Sequence, residues 1–137
     1  MHPATLRARP RGQRGDNGSA VVDFVLVLVV LVPLFLGILQ VALVLHVRNT
    51  LISAASEGAR YAATVDRPLA AGVGRTRQQI AGALADRFAS DITARQVPVA
   101  GAPGVEVVVH AEVPPLGLWG PAVPLTVSGH AVEEVVP

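Results

Sequence analysis

FVLVLVVLVPLFLGILQVALVL, from Phe24 to Leu45, is the stretch of sequence that decides the fold. It contains no ionisable residue in 22 positions, and Gln40 is its only strongly polar side chain. About 20 apolar residues at about 1.5 Å each span the roughly 30 Å hydrocarbon core of a bilayer. A secretory signal peptide has a shorter apolar stretch and then a small-residue cleavage site, a composition not found after Leu45. The stretch therefore predicts one membrane-spanning helix.

The charges beside this stretch predict its orientation. Four arginines lie between Arg7 and Arg14 against one acid, Asp16, whereas Arg48 alone flanks the other side. Basic residues collect on the cytoplasmic side of membrane helices. We expect a cell-membrane protein with its N-terminus in the cytoplasm and its C-terminal part outside.

Composition excludes several classes of function. The net charge of +1 gives no basis for nucleic-acid binding, and the absence of cysteine excludes thiol catalysis and disulfides. The four histidines are scattered, and although His110 and His130 are expected on paired strands beside Glu112, no metal-ligand spacing is visible. No nucleophile elbow or glycine-rich phosphate loop occurs. The sequence predicts no enzyme, no metal site and no cofactor.

Asp23 is unusual because it lies where the apolar run begins. An unpaired carboxylate costs about 2.5–3.5 kcal/mol at the centre of a membrane helix and less near the interface. Asp23 is either solvated at headgroup level or functional. If the chain were cut after Gly18, Ser19 would be the new N-terminus, and Asp23 would lie one helical turn from its amine. An amine and a carboxylate pair at that spacing, within one chain or between neighbours.

A basic leader, Gly18, an acid at the fifth position after it and an apolar helix resemble the signal that prepilin peptidases cut in type IV pilins and pseudopilins. The resemblance continues in EGARYAA, from Glu57 to Ala63, and in PLTVSGHA, from Pro124 to Ala131. These stretches are similar to the TadE-like pseudopilins of tight-adherence (Tad) pilus systems. That family usually has glutamate where this chain has Asp23.

The resemblance implies a minor pilin-like subunit in the assembly of a Tad-type pilus or a related secretion apparatus. It implies processing between Gly18 and Ser19, and a role for Asp23 in helix pairing and assembly. The implied partners are the lipid bilayer, a prepilin peptidase, other pilin-like subunits and the Tad inner-membrane machinery. Two alternatives remain: an unprocessed single-pass anchor with an envelope-binding outer domain, and a membrane-tethered enzyme.

The helical pattern continues beyond the apolar run. A stripe of mostly small residues allows close approach of another helix, and Glu57 is expected to pair with Arg60. This stripe consists of Leu51, Ala55, Gly58, Ala59 and Ala62. Pro68 disfavours helix at the residue before it, so the helix is expected to end near Asp66. The predicted division is a leader at 1–18, a membrane and stem helix at 19–66, and a linker at 67–74.

The remaining residues, 75–137, are expected to form a small extracytoplasmic domain. An amphipathic helix is predicted at Arg75–Ala89 from Ile80, Leu84 and Phe88, which recur every four residues. The predicted strands are Ala94–Val99, Val105–Val113 and Leu125–Val135, with a turn at 101–104 and a proline-rich loop at 114–124. Trp119 in this loop either anchors it to the sheet or contacts a partner or the membrane surface. Pro98 places the first strand at an edge. The fold class is α+β and pilin-like, with a long N-terminal helix, a short helix and a small antiparallel sheet.

Overall fold

The structure is a computed structural model and describes residues 16–64, 66–117 and 120–134. The expected α+β class is confirmed. The elements in chain order are helix α1 (Asp16–Ala63), helix α2 (Leu69–Ala83), a 3₁₀ turn (Asp86–Ala89) and strands β1 (Asp91–Val99), β2 (Ala102–Val113) and β3 (Val123–Val132). The chain divides into two units, Met1–Gly37 and Ile38–Pro137, so α1 contributes to both.

The N-terminal unit, as far as it is described, is the first part of α1. Large apolar side chains are exposed all around it, including Val21, Phe24, Val30 and Phe35. Within the described residues, α1 is the one helix long and apolar enough to cross a membrane, and its most apolar segment is not buried by the protein. An exposed apolar helix of this kind is consistent with a membrane anchor.

The C-terminal unit contains a three-stranded antiparallel sheet in the order β1-β2-β3. β2 is central, and the predicted edge position of β1 and pairing of the last two strands are both confirmed. The β1–β2 turn is shorter than expected, because β2 already begins at Ala102. Ala100 and Gly101 have φ angles of 51° and 84°. Two consecutive positive φ angles are what a two-residue type I′ hairpin requires, so residues 102–104 belong to the strand.

The helices differ from the expected boundaries. α1 ends at Ala63, and Asp66 has a φ angle of 61°, which is incompatible with continued helix. The linker predicted at 67–74 is wrong, since α2 begins at Leu69 and ends at Ala83. In the sequence, the glycine and small residues of 67–74 favour a loop. In the structure Gly72 lies inside α2, where its missing side chain permits a close helix contact.

The core lies between the inner face of the sheet, the later part of α1 and α2. The sequence of β2 alternates apolar residues with Glu106, His110 and Glu112, which predicts one buried and one exposed face. The buried face is confirmed, because every second residue from Val105 to Val113 is buried. Phe88 reaches this core from the 3₁₀ turn and not from a helix, since α2 stops before it. The other core residues include Val47, Leu51, Ala55, Ala59, Ile80, Ile92 and Val127.

Two glycines set how closely α1 approaches the rest of this unit. A Cβ atom built at Gly58 would lie 1.8 Å from Thr76 Oγ1 and 2.7 Å from the carbonyl oxygen of Gly72 in α2. A Cβ atom at Gly129 of β3 would lie 2.2 Å from the backbone nitrogen of Ser56. No real side chain fits at such distances, so the backbone of α1 touches both α2 and the sheet.

We predict that Gly58→Ala destabilises the C-terminal unit by about 1–3 kcal/mol, because the added methyl group has no space between α1 and α2. The matched control is Gly74→Ala in α2, where a Cβ atom meets nothing within 4 Å. Alanine there should stabilise by about 0.4–1 kcal/mol. Thermal unfolding followed by circular dichroism in detergent measures both variants. Equal effects from the two substitutions would contradict the described contact.

Candidate functional site

The three residues predicted for processing and assembly lie together near the start of α1. Gly18, Ser19 and Asp23 are all helical and exposed. Gly18 has nothing within 4 Å of the position that a Cβ atom would take. Asp23 makes no ion pair or side-chain hydrogen bond with any residue that the structure describes. Its carboxylate is thus available to a group outside the described chain.

The small-residue stripe predicted on the stem lies inside the core of the C-terminal unit. All five members are buried: Leu51, Ala55, Gly58, Ala59 and Ala62. The helix that approaches Gly58 closely is α2 of the same chain. The described protein therefore leaves none of this stripe free for a neighbouring subunit.

Gln40, the polar residue of the apolar run, is attached to the loop that follows β2. Its Nε2 atom donates to the carbonyl oxygen of Pro114 at 3.2 Å, and its Oε1 atom accepts from the backbone N–H of Leu116 at 2.8 Å. The side-chain amide thus bonds two nearby backbone groups, one through one of its two N–H donors and the other through its oxygen. This contact joins residues 74 and 76 positions apart in sequence.

The predicted Glu57–Arg60 pair is wrong, because Glu57 pairs with Arg75 of α2 at 3.3 Å. Helix α2 packs against α1 next to Gly58, and this packing brings Arg75 beside Glu57. Nearby, the guanidinium of Arg67 lies 3.8 Å from the centre of the Tyr61 ring, a cation–π contact. These interactions fasten the end of α1 to the segment that follows it.

The outer face of the sheet carries a row of polar side chains across its three strands. Arg95 on β1 and His130 on β3 are the register partners of Glu106 on β2. Arg95 Nε donates to Glu106 Oε2, and His130 Nε2 lies 3.0 Å from Glu106 Oε1. Glu106 was expected on the exposed face, and it lies there, but its two neighbours cover it so that its side chain is 11% exposed.

This arrangement lowers the pKa of Glu106. The hydrogen bond from Arg95 is the largest cause, and the positive charge of Arg95 and the contact with His130 act in the same direction, whereas partial burial opposes them. The carboxylate is stabilised in its charged form. What the triad can do chemically is hold three strands in register.

The two histidines predicted on neighbouring strands are not neighbours. The register partner of His110 is Thr126, and that of His130 is Glu106. The two histidines are therefore offset by four positions along β2. Glu112 stands opposite Pro124, and His110 lies 3.7 Å from Asp91 instead. No group of three metal-ligating side chains occurs among the residues that the structure describes.

One comparison with known proteins gave a match, and it falls on the first helix. Residues 18–60 match the TadE-like protein family. This match confirms the suspected resemblance and indicates a protein related to Tad pilus systems. No curated protein and no solved structure matched the chain.

The TadE-like segment, residues 18–60, lies wholly within α1. It begins at Gly18, includes Asp23 and the apolar run, and contains all of the buried stripe except Ala62. Helix α2 and the sheet lie outside it. The TadE-like segment therefore comprises the exposed apolar helix and most of the α1 surface on which the C-terminal unit is built.

Sequence reasoning missed the contacts that join distant segments. Gln40 was visible as a polar residue in an apolar run, yet its partners lie on a loop that has no periodic pattern. Arg95, Glu106 and His130 were assigned to strands, but only the exact register brings them together. Trp119, the leader arginines and Val65, near the end of the predicted stem helix, lie outside the described residues.

We predict that Glu106→Gln weakens the pH dependence of stability. Because the folded-state pKa of Glu106 is lowered from 4.5, its contribution is present above that value and is lost as the pH falls through the folded-state pKa. Arg95 is 68% exposed, so solvent screening limits the pair to about 0.2–1 kcal/mol.

Denaturant unfolding of the wild type and the variant between about pH 6 and pH 3 measures this difference. Glu112→Gln is the matched control, since Glu112 is exposed on the same face of β2 and has no ion-pair partner among the described residues. The control should keep the wild-type pH dependence. If Glu106→Gln kept it as well, the triad would not stabilise the fold.

Proposed function

We propose that this protein is a minor pilin-like subunit, a pseudopilin, that takes part in assembling a Tad-type pilus or a related secretion apparatus. The observation that carries this proposal is the TadE-like match over residues 18–60, which contains Gly18, Asp23 and the whole apolar run. The role is structural and not enzymatic. The proposed partners are the bilayer, a prepilin peptidase, other pilin-like subunits and the Tad inner-membrane machinery.

The proposed placement follows from the physical properties of α1. Exposing so large a hydrophobic surface to water is unfavourable. The exposed apolar residues of α1 therefore require lipid or other apolar helices around them. The arginines between Arg7 and Arg14 support a cytoplasmic N-terminus. The sheet then lies on the outer side of the cell membrane.

Asp23 is the residue that we assign to pairing between subunits. It is exposed on α1 at the beginning of the apolar run and has no partner in the described chain. Cleavage after Gly18 would create a cationic amine at Ser19, one helical turn away. In the lipid environment, a carboxylate is stabilised by such an amine, from its own chain or from the neighbouring subunit.

Processing is tested by the intact mass and N-terminal sequence of the protein isolated from its native membrane. We expect the wild type to begin at Ser19 and a Gly18→Leu variant to retain residues 1–18. Gly37→Leu, which changes the same residue type further along α1 where a Cβ atom meets nothing within 4 Å, is the control and should be processed normally. A wild type that keeps its leader would favour the unprocessed anchor with an envelope-binding outer domain.

Asp23→Ala should abolish incorporation of the subunit into an assembly, because it removes the carboxylate that pairs with the amine. Asp23→Glu restores the family's usual residue and should retain incorporation. Co-isolation of the tagged protein with other small membrane subunits, quantified by mass spectrometry, measures both variants. Wild-type recovery of partners with Asp23→Ala would remove Asp23 from the assembly contact.

A further inference from the structure

Gln40 lies within the apolar run of α1, so the loop after β2 that is bonded to Gln40 lies beside this run. Gln40 lies five positions before Leu45, the end of the run, which is about 7.5 Å along the helix. The loop bonded to Gln40 therefore lies beside the apolar run and not beyond its end. Val41, which follows Gln40, and Leu45, at the end of the run, are 60% and 53% exposed.

A bilayer that ended before Gln40 would leave too short a span. Phe24 to Leu39 is 16 residues, or about 24 Å of helix, whereas the hydrocarbon core is about 30 Å thick. Extending the span backwards would bring Asp23 into the hydrocarbon. An unpaired carboxylate costs more there than a neutral amide whose oxygen and one of whose two N–H groups are bonded. The lower-energy placement therefore keeps Asp23 at one surface and brings Gln40 to the other.

The composition of the loop suits the region between headgroups and hydrocarbon. Pro114 and Pro115 have no backbone N–H, and the Pro114 carbonyl and Leu116 N–H are bonded to Gln40. Lipid-exposed irregular backbone does not occur inside the hydrocarbon region, so a loop of this kind lies at the interface, where water and headgroups bond its remaining polar groups. The Leu116 side chain is 48% exposed and offers an apolar group to lipid.

The polar groups next to this loop carry charges of both signs. A cleft of about 660 Å³ borders Pro114 and is lined by Arg87 and His110 together with Asp91 and Glu112. Opposite charges side by side do not favour anionic lipid over neutral lipid. The apolar contact of the loop, and not electrostatic attraction, is therefore the basis for choosing a partner.

We propose that the segment 114–117 is a membrane-docking loop, which Gln40 holds at the outer bilayer interface with the Leu116 side chain in contact with lipid. Its partner is the lipid bilayer itself, through continuity with the apolar surface of α1. The proposal rests on the membrane placement of α1 given under the proposed function and on Asp23 lying at the inner bilayer surface. One consequence is that the β2 end of the sheet is held against the membrane surface.

The chain has no cysteine, so single spin labels can be placed without removing native residues. The full chain would be reconstituted in phosphatidylcholine vesicles with a nitroxide at Leu116→Cys, Val30→Cys or Ala100→Cys. Val30 reports the membrane span. Ala100 lies in the turn at the end of β2 that is opposite to Leu116, and this 12-residue strand is about 36 Å long. Collision rates with oxygen, which partitions into lipid, and with a water-soluble nickel chelate give the environment of each label.

We expect the oxygen-to-nickel ratio at Leu116 to exceed that at Ala100 several-fold, and to fall to the Ala100 value when Gln40→Leu is added to the Leu116→Cys variant. A water-like label at Leu116 with a lipid-like label at Val30 would overturn the docking loop while leaving the membrane span intact. A water-like label at Val30 would remove the span itself. Protection of Leu116 from both reagents would show a protein contact, such as a second copy, and would also overturn the proposal.

Discussion

The contact between the backbone of α1 and its neighbours is the constraint on which the C-terminal unit depends. At Gly58 a methyl group would collide with Thr76 and Gly72, and at Gly129 it would collide with the backbone of α1 itself. With so few large side chains available, this small unit has to gain its packing from close approach of backbones. The helix that bears the apolar run is therefore also the central element of the folded unit.

The sequence predicted elements whose signal is local. The apolar run, the alternation along Val105–Val113 and the edge position of β1 all follow from side-chain periodicity or a single proline, and the structure agrees with each. The linker was wrongly predicted because glycine has two opposite uses, breaking a helix and admitting a second helix. Only the position of Gly58 across from Gly72 decides between them. The Glu57–Arg75 and Gln40–Pro114 contacts join residues far apart in sequence, and no local pattern predicts such pairs.

Two polar residues interrupt the apolar surface of α1, and their needs are met differently. Gln40 donates one hydrogen bond to a loop of its own chain and accepts one from it. Asp23 has no partner within the described residues, so its carboxylate must be satisfied by water, headgroups or another molecule. Gln40 attaches the loop after β2 to α1. The carboxylate of Asp23, at the opposite end of the apolar run, would be stabilised by a cationic partner.

The burial of the small-residue stripe restricts how neighbouring subunits can contact this helix. Beyond Leu45, the exposed positions of α1 are polar apart from Tyr61, whose ring Arg67 covers on one side. The polar positions include Arg48, Asn49, Ser53 and Arg60. Polar, solvated side chains offer little gain from burial against another helix. Apolar packing between subunits along α1 is thereby confined to the run from Phe24 to Leu45. Under the proposed function, a partner helix that meets this run is apolar along its length, and a cationic group on it beside Asp23 would stabilise the carboxylate.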